Sequence, residues 1–415
     1  MNVIVVGGGV AGAASAIALR RLGVEVAVYE AYAEPAGRVG SFLSIASNGQ
    51  RVLRALGVLE QVRGAGIDVP RQRMWSGSGK LLGDVPRGRL GGDDLHSVTL
   101  MRGALVETLR AEAVAAGAHV VTGERLVDAV ATDTGVRAVF ASGRTAEASL
   151  LVGADGIHSV TRALLDPHAP VPAYAGLYSV SGVSEGVPVD PGVFHMTFAR
   201  NGAFLHLAAP DGRIWWSAQV ASPDRPDLDR ADDAWLAHLA GLYRHERVPG
   251  AVLAATVELH RPSLTHTLDP VTVRHSDRIV LLGDADHPVG AGQGASMALE
   301  DALVLARSLG TRTSVPAALS AYDAARSERV ARMAKAAAGN RDSKTAGPLG
   351  RWARDLVMPL GIRYFYERAT AWLYTYDCGE LPGAAHEADV ASRVFAPVPR
   401  KPGAGRPPGG VGSGA

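Results

Sequence analysis

The stretch VIVVGGGVAGAASAIALRRLGVEVAVYE, residues 3–30, constrains this chain more than any other. Val3–Val6 is a short unbroken apolar run, the pattern of a strand buried on both faces. Gly7-Gly8-Gly9-Val10-Ala11-Gly12 follows at once and spells G-x-G-x-x-G. Ala16, Leu19 and Leu22 then recur at helical spacing, and Gly23 closes the helix. Val24 to Tyr29 predicts a second parallel strand, ended by Glu30. Gly7 permits the tight turn, Gly9 lets the backbone approach a pyrophosphate, and Gly12 lets the helix sit close on the strand. The helix start offers free N–H groups and the positive end of its dipole to that anion. Glu30 stands where a carboxylate accepts hydrogen bonds from a ribose diol. A dinucleotide site on a β-α-β unit is the expectation.

The 415-residue chain is long enough for two domains and a sizeable core. A formal net charge of +1 removes any general electrostatic case for nucleic acid. Arginine outnumbers lysine so heavily that Lys80, Lys335, Lys344 and Lys401 are the only lysines, a skew read as genomic composition rather than function. The lone Cys378 excludes a disulfide or redox dithiol within one chain. No signal-peptide pattern precedes the first apolar run, and no window has the length and apolarity of a membrane span. A cytoplasmic enzyme without stable membrane association is expected.

Two further motifs decide which dinucleotide. LLVGADGIHSVTR, residues 150–162, reads as a strand, an Asp155-Gly156 turn and a helix start. RIVLLGDADHPVGAGQGASMALEDALVLARSL, residues 278–309, reads as a buried strand, Gly283-Asp284, a glycine-rich loop and a long helix. With these motifs in this order, the chain resembles the class A flavoprotein monooxygenases, the family of para-hydroxybenzoate hydroxylase. The resemblance covers roughly residues 1–380.

That resemblance implies FAD as cofactor. Gly7, Gly9, Val10, Ala11 and Gly12 would cradle its pyrophosphate, and Glu30 would take the adenosine ribose. Arg38, in EPAGRVGSFLSIASNG, and Arg102, in MRGALVETL, would contact the cofactor. Asp155 belongs to the motif the family uses around the pyrophosphate and during nicotinamide-dependent reduction, and Asp284 would bind the ribityl chain. Gly292, Gln293 and Gly294 would lie against the isoalloxazine, with the following helix N-terminus facing its N1/O2 edge. The loop DHPVGAGQGAS is shorter than the family's usual one, and its only proline, Pro288, directly follows His287. His287 itself reads as a residue shaping the turn after Asp284.

The implied fold is α/β: a Rossmann-type, glutathione-reductase-like FAD-binding domain interleaved with a β-sheet substrate domain, plus C-terminal helices. Residues 1–170 and 276–340 form the first, with a small β-meander near 119–148, and residues 171–275 the second. Helices over 341–389, interrupted at Pro359, and a disordered Pro/Gly/Ser tail over 390–415 complete the expectation. Asn201-Gly202 and Asp211-Gly212 mark hairpins in the substrate sheet. There Phe194, Met196 and Phe198 share one face by period two, and Ile214, Trp216 and Ala218 oppose Trp215, Ser217 and Gln219. Alternation leaves open which face meets the substrate. Phe198, His206, Trp216 and Pro288 stand as candidate substrate-contacting residues.

The expected reaction is monooxygenation. NADPH or NADH reduces FAD, O2 adds to form a flavin C4a-hydroperoxide, and one oxygen atom hydroxylates or epoxidises a small organic substrate. A single dinucleotide fingerprint implies that the nicotinamide binds only transiently. The flavin carries the chemistry, so no catalytic side chain and no metal is assigned. A reductase of the geranylgeranyl-reductase type and a non-redox FAD-scaffolded protein remain as alternatives, and a role in bacterial specialised metabolism is expected. A halogenase is disfavoured, because WWSAQV does not match that group's W-x-W-x-I-P segment and Lys80 is poorly placed.

Overall fold

Val3–Val6 forms the middle of a five-stranded parallel sheet in the computed structural model, which describes residues 1–34, 41–132, 135–290, 292–344 and 347–382. With elements labelled in chain order, β1 (Asn2–Val6) pairs in parallel with β2 (Glu25–Glu30) on one side and β12 (Leu150–Gly153) on the other. β8 (His119–Thr122) extends the sheet beyond β2, and β18 (Ile279–Leu281) beyond β12. The order is thus β18-β12-β1-β2-β8. Both faces of β1 are covered, which is why its side chains are apolar without alternation. Val3 and Val5 pack with α1 (Val10–Arg21), α4 (Arg102–Ala115) and α8 (Gly294–Thr311). Ile4 and Val6 pack with the antiparallel meander β9 (Leu126–Ala131), β10 (Val136–Phe140) and β11 (Thr145–Ala148). In α1 the whole run Ala11–Leu19 is buried, so its alanines let it lie between the sheet and α8.

The second, seven-stranded sheet has the order β17-β13-β16-β15-β14-β5-β6. β13 (Ala173–Ser184), β14 (Val193–Ala199), β15 (Gly202–Ala208), β16 (Ile214–Ala221) and β17 (Thr256–Thr267) come from residues 171–275. β5 (Arg71–Ser76) and β6 (Leu81–Pro86) come from far upstream and dock through the parallel pair β14–β5. The two sheets are therefore interwoven along the chain, and Met1–Leu381 forms one compact unit. The expected hairpins lie at Gly202 and at Gly212, whose φ of 82° is open to glycine at no steric cost.

The pleat assigns the faces of this sheet. Phe204, Trp216, Ala218 and Val220 point toward α6 (Asp232–Leu242) and α7 (Arg247–Ala254), where Trp235, Leu239 and Tyr243 close a core. Met196, Phe198 and Ala203 point the other way, against Met74, Leu82 and Val85.

The small antiparallel sheet β3 (Phe42–Ile45), β7 (Val98–Met101) and β4 (Ile67–Asp68) lies with α2 (Ser47–Ala55) and α3 (Leu59–Gly64) between these layers in sequence. α5 (Val160–Leu165) follows β12, and α9 (Val315–Lys344) and α10 (Pro348–Tyr374) follow α8. The interruption expected at Pro359 is absent, because α10 runs through it. Proline removes one backbone hydrogen bond, but Met358, Ile362 and Tyr366 pack this helix onto Met74, Leu82 and Val85 and hold it continuous. Among the described residues no helix is long and apolar enough to cross a membrane. Arg38, and the tail expected over 390–415, lie outside the described residues.

Candidate active site

A cleft of about 710 Å3 opens where the parallel strands end. β1 delivers Gly7, β2 delivers Glu30 and β12 delivers Asp155 to its wall, with neighbours of β1 on both sides. A crevice beyond the carboxyl ends of parallel strands is where open α/β sheets place ligands. The opposite wall is the inner face of the seven-stranded sheet, with Phe194, Met196, Leu205 and Gln219.

The glycine turn divides into glycines the fold needs and one that only a ligand would need. A Cβ on Gly7 would stand 2.3 Å from the Ala154 carbonyl oxygen, and Gly7 has a φ of 96°. A Cβ on Gly12 would stand 1.9 Å from the Gly7 carbonyl oxygen. Gly9 is different: it has an ordinary φ of −74°, and a Cβ there meets no protein atom within 4 Å. Gly9 caps α1 and lines the cleft, so its bareness fits close backbone approach by a pyrophosphate. Val10 and Ala11 line the cleft beside it, while Gly12 is taken up by the turn.

Glu30 braces this turn from the next strand. Gly8 N–H donates to its Oε2 at 2.8 Å, and Tyr32 N–H donates to Oε1 at 3.0 Å. Arg110 stands 3.4 Å from Oε2, and its buried Nε and Nη2 lack hydrogen-bond partners among the described residues. Unpartnered guanidinium donors beside a glycine turn fit an anionic phosphate. The sequence reading missed Arg110, although Arg102, Val106 and Arg110 are spaced i, i+4, i+8 on α4 and all three line the cleft.

Asp284 lies in a short 3-10 turn after β18 and also lines the cleft. Burial raises its pKa above the ordinary carboxylate value, and the positive charges of Arg102 and His287 pull the other way. No protein donor satisfies its carboxylate among the described residues, which fits hydroxyl groups of a ribityl chain. Asp155 is engaged differently. Its Oδ1 accepts from Ser159 Oγ at 2.5 Å, and its Oδ2 accepts from Thr161 N–H at 2.9 Å and Thr161 Oγ1 at 3.1 Å. The carboxylate thus secures the start of α5, and the residue presents its remaining surface to the cleft.

The loop from Gly283 to Gly294 is held from behind by buried charge. His287 Nε2 donates to Asp301 Oδ2 at 2.7 Å, and Gly283 N–H donates to the same oxygen at 2.9 Å. Arg326 from α9 bridges Asp301 and Glu300 at 2.8 and 2.7 Å. Asn48 from α2 donates to Glu300 at 2.7 Å and to Gln293 Oε1 at 3.2 Å. Gln293 therefore faces back into the protein, whereas Gly292, Gly294 and Ala295, at the N-terminus of α8, line the cleft. His287 shapes this loop through Nε2, while its buried Nδ1 has no hydrogen-bond partner among the described residues.

The candidate substrate contacts fare unevenly. His206 and Trp216 pair across β15 and β16 on the face turned away from the cleft. Trp216 is wholly buried against the α6–α7 core, and His206 stacks on His195 at 4.7 Å. Phe198 is on the cleft-side face, but beyond the cleft, where the Arg354 guanidinium covers its ring at 4.4 Å. Pro288 does not line the cleft; its neighbour Val289 does. A one-residue shift along a strand reverses the face, so the lining residues from β14 to β16 are Phe194, Met196, Leu205 and Gln219. Phe42, Gln72 and Arg87 join them from the N-terminal half, a contribution no local pattern announced.

Residues 1–337 match the FAD binding domain family. The chain is 32% identical over 345 residues to an aurachin C monooxygenase/isomerase of Stigmatella aurantiaca, covering 79% of this chain and 86% of that one. It is 31% identical over 424 residues to a 3-amino-4-hydroxybenzoate 2-monooxygenase of Streptomyces cremeus, covering 95% and 98%. Among solved structures, Klebsiella pneumoniae HpxO complexed with FAD and uric acid superposes with a TM-score of 0.78 at 24% identity, covering 90% of this chain and 97% of that one. A salicylate hydroxylase substrate complex gives 0.74 at 21% identity, covering 94% and 98%. At these identities the structural likeness is one of fold.

Proposed function

This chain belongs to the FAD binding domain family of flavin-dependent monooxygenases, and on that premise we propose that it uses NADPH or NADH and O2 to oxygenate a small organic molecule. Bound and reduced flavin supplies the activation of O2, giving one oxygen atom to the substrate and releasing the other as water. The protein's share is binding, orientation and exclusion of water. Gly7 and Gly12 fix the turn, and Gly9 with the N–H groups of Val10 and Ala11 holds the pyrophosphate. Arg110 adds positive charge beside it. Glu30 would bear on the ribose, and Arg102 and Asp284, which line the same cleft, would hold the chain leading to the ring. The N-terminus of α8 at Gly294 lines the cleft and would offer positive dipole charge to an anionic reduced ring.

The observation that carries this reading is the continuity of one cleft from the bare Gly9 turn to the apolar wall of Phe42, Phe194, Met196 and Leu205. A dinucleotide and a second, flat molecule can share it, the latter against a largely apolar, water-poor surface. The test uses purified protein. Bound FAD, NAD(P)H oxidation stimulated by a substrate, and incorporation of label from 18O2 support oxygenation. A reduced product without O2 uptake would make the protein a reductase, and turnover without NAD(P)H consumption would leave the flavin as a scaffold. Protein that takes up no FAD on reconstitution overturns the proposal.

A further inference from the structure

The outer face of α10 carries apolar side chains that the described residues leave uncovered. Trp352, Leu356, Leu360 and Tyr364 recur every fourth residue and form one row along the helix, flanked by Leu349 and Val357. All six are between 56% and 84% exposed. The opposite face is taken, because Met358, Ile362 and Tyr366 pack on Met74, Leu82 and Val85 of the second sheet. That packing fixes the rotation of α10, so the row cannot turn inward. Single exposed apolar side chains are ordinary on a protein surface, but a contiguous row of them marks an interaction site.

The charges bordering the row are cationic. From Pro348 to Phe365 the only exposed charged residue is Arg363, while Arg351, Arg354 and Asp355 are half-buried. Arg368 is exposed further along α10, and Lys80 reaches over from the turn between β5 and β6, its Nζ donating to the Asp355 carbonyl oxygen at 3.1 Å. At the C-terminal end the guanidinium of exposed Arg332, from α9, lies 4.1 Å from the Trp372 ring. The nearby acids are engaged. Asp355 pairs with Arg354 at 2.9 Å, and Glu367 Oε1 accepts from Gly91 N–H at 2.9 Å. Aromatic and aliphatic side chains bordered by arginine and lysine match a bilayer surface, where rings sit at headgroup depth and cations meet anionic lipid. A second copy of the chain fits less well. A stable dimer engages about 20–30 residues on each partner. The row offers six, and between Pro348 and Phe365 there is no exposed acid to meet Arg363 across a two-fold axis.

We propose that α10 docks this protein peripherally on an anionic phospholipid surface, with the row lying in the interface plane and Arg363, Arg368 and Lys80 meeting the headgroups. A single helix face of this kind binds reversibly, which is compatible with the expectation of no stable membrane association. The same helix braces the loop after β6. Tyr366 Oη donates to the Pro86 carbonyl oxygen at 3.4 Å, next to Arg87 of the cleft wall. Lipid thus meets the protein through a helix that steadies one edge of the cleft.

The experiment floats full-length, FAD-loaded protein with vesicles of phosphatidylcholine, alone or mixed with phosphatidylglycerol, and records tryptophan emission. Wild-type protein is expected to bind the mixed vesicles at least about tenfold more tightly than the neutral ones, with its emission shifted to the blue. Leu356→Glu combined with Leu360→Glu should lower that affinity at least about tenfold while FAD content and Tm stay as in wild type, because both side chains face solvent. Arg363→Gln combined with Arg368→Gln should reduce the preference for phosphatidylglycerol severalfold. Trp352→Phe should still bind but lose the blue shift, since Trp352 is the only exposed tryptophan among the described residues. Wild-type protein that floats with neither vesicle overturns the proposal. So does binding unchanged in the leucine variant, a lipid preference unchanged in the arginine variant, or a blue shift that survives in Trp352→Phe. Sedimentation showing a wild-type dimer that the leucine variant dissolves would give the row to a second copy and overturn it as well.

Discussion

His287 Nε2 lies 2.7 Å from Asp301 Oδ2, with both side chains buried. This contact joins the loop that carries Asp284 to the helix whose N-terminus lines the cleft. Burial alone would lower the His287 pKa, but the charge of Asp301, the hydrogen bond to it and the charge of Asp286 hold it above the ordinary 6.5. Burial would raise the Asp301 pKa, yet His287 and Arg326 keep it below the ordinary 3.8.

The first prediction follows from those directions. A histidine whose folded pKa is raised contributes stability that is complete below its unfolded value and is lost as pH rises through the folded one. The depressed Asp301 acts at the other end, losing its contribution only as pH falls below the carboxylate range. Wild-type Tm should therefore decline above about pH 6.5, whereas His287→Gln should be less stable at pH 6 and lack that decline. Parallel Tm profiles for the two proteins between about pH 6 and 9 would refute the assignment. Asp301→Asn, which leaves Arg326 short of a counter-charge, should cost about 3–5 kcal/mol in denaturant unfolding.

Gly9 and Gly12 should behave oppositely on substitution. Gly12→Ala drives a methyl into the Gly7 carbonyl at 1.9 Å and should lower Tm sharply with or without flavin. Gly9→Ala meets open space and changes only an N-cap preference, so the flavin-free protein should lose far less Tm than Gly12→Ala while FAD binding is lost. Differential scanning fluorimetry of flavin-stripped samples, paired with FAD titration, separates folding from binding. Full FAD affinity in Gly9→Ala would disprove the cradle.

Arg110 presents to the cleft N–H donors, and Asp284 a carboxylate, that lack hydrogen-bond partners among the described residues. Removing a charge-assisted hydrogen bond costs about 1.5–3 kcal/mol, or about 10- to 100-fold in affinity. Arg110→Gln and Asp284→Ala should each weaken FAD by that factor in equilibrium dialysis. Unchanged flavin content in Asp284→Ala would show its role to lie elsewhere.

Trp216 is expected to act through folding alone. Trp216→Ala removes a wholly buried ring from the α6–α7 core and should cost about 3–5 kcal/mol. Ligand affinity per folded molecule should stay the same. Gln219→Ala, on the cleft-side face of the same strand, should change ligand affinity while moving Tm little. Both outcomes can be read from one melt and one spectral titration per variant.

The dinucleotide half was legible in the sequence because its determinants are local. Val3 to Glu30 contains strand, turn, helix and second strand within one contiguous stretch, and hard-sphere limits at Gly7 and Gly12 arise between atoms a few residues apart or on the adjoining strand. The motif at Asp284 is equally self-contained. Strand pairing, by contrast, is a long-range choice. That β5 and β6 would cross to join β14, bringing Gln72 and Arg87 opposite Leu205 and Gln219, depends on how whole layers bury one another. The pleat told us that Trp215 and Trp216 face opposite ways, but only the packing of α6 and α7 against one side decided which of them lay in the core. The same is true of His287: its carboxylate partner is fourteen residues away on α8, and its arginine further still on α9. The chain's order of residues determined a flavin-binding frame through short-range sterics and hydrogen bonding. Burial summed over the entire tertiary structure determined what surrounds the second ligand.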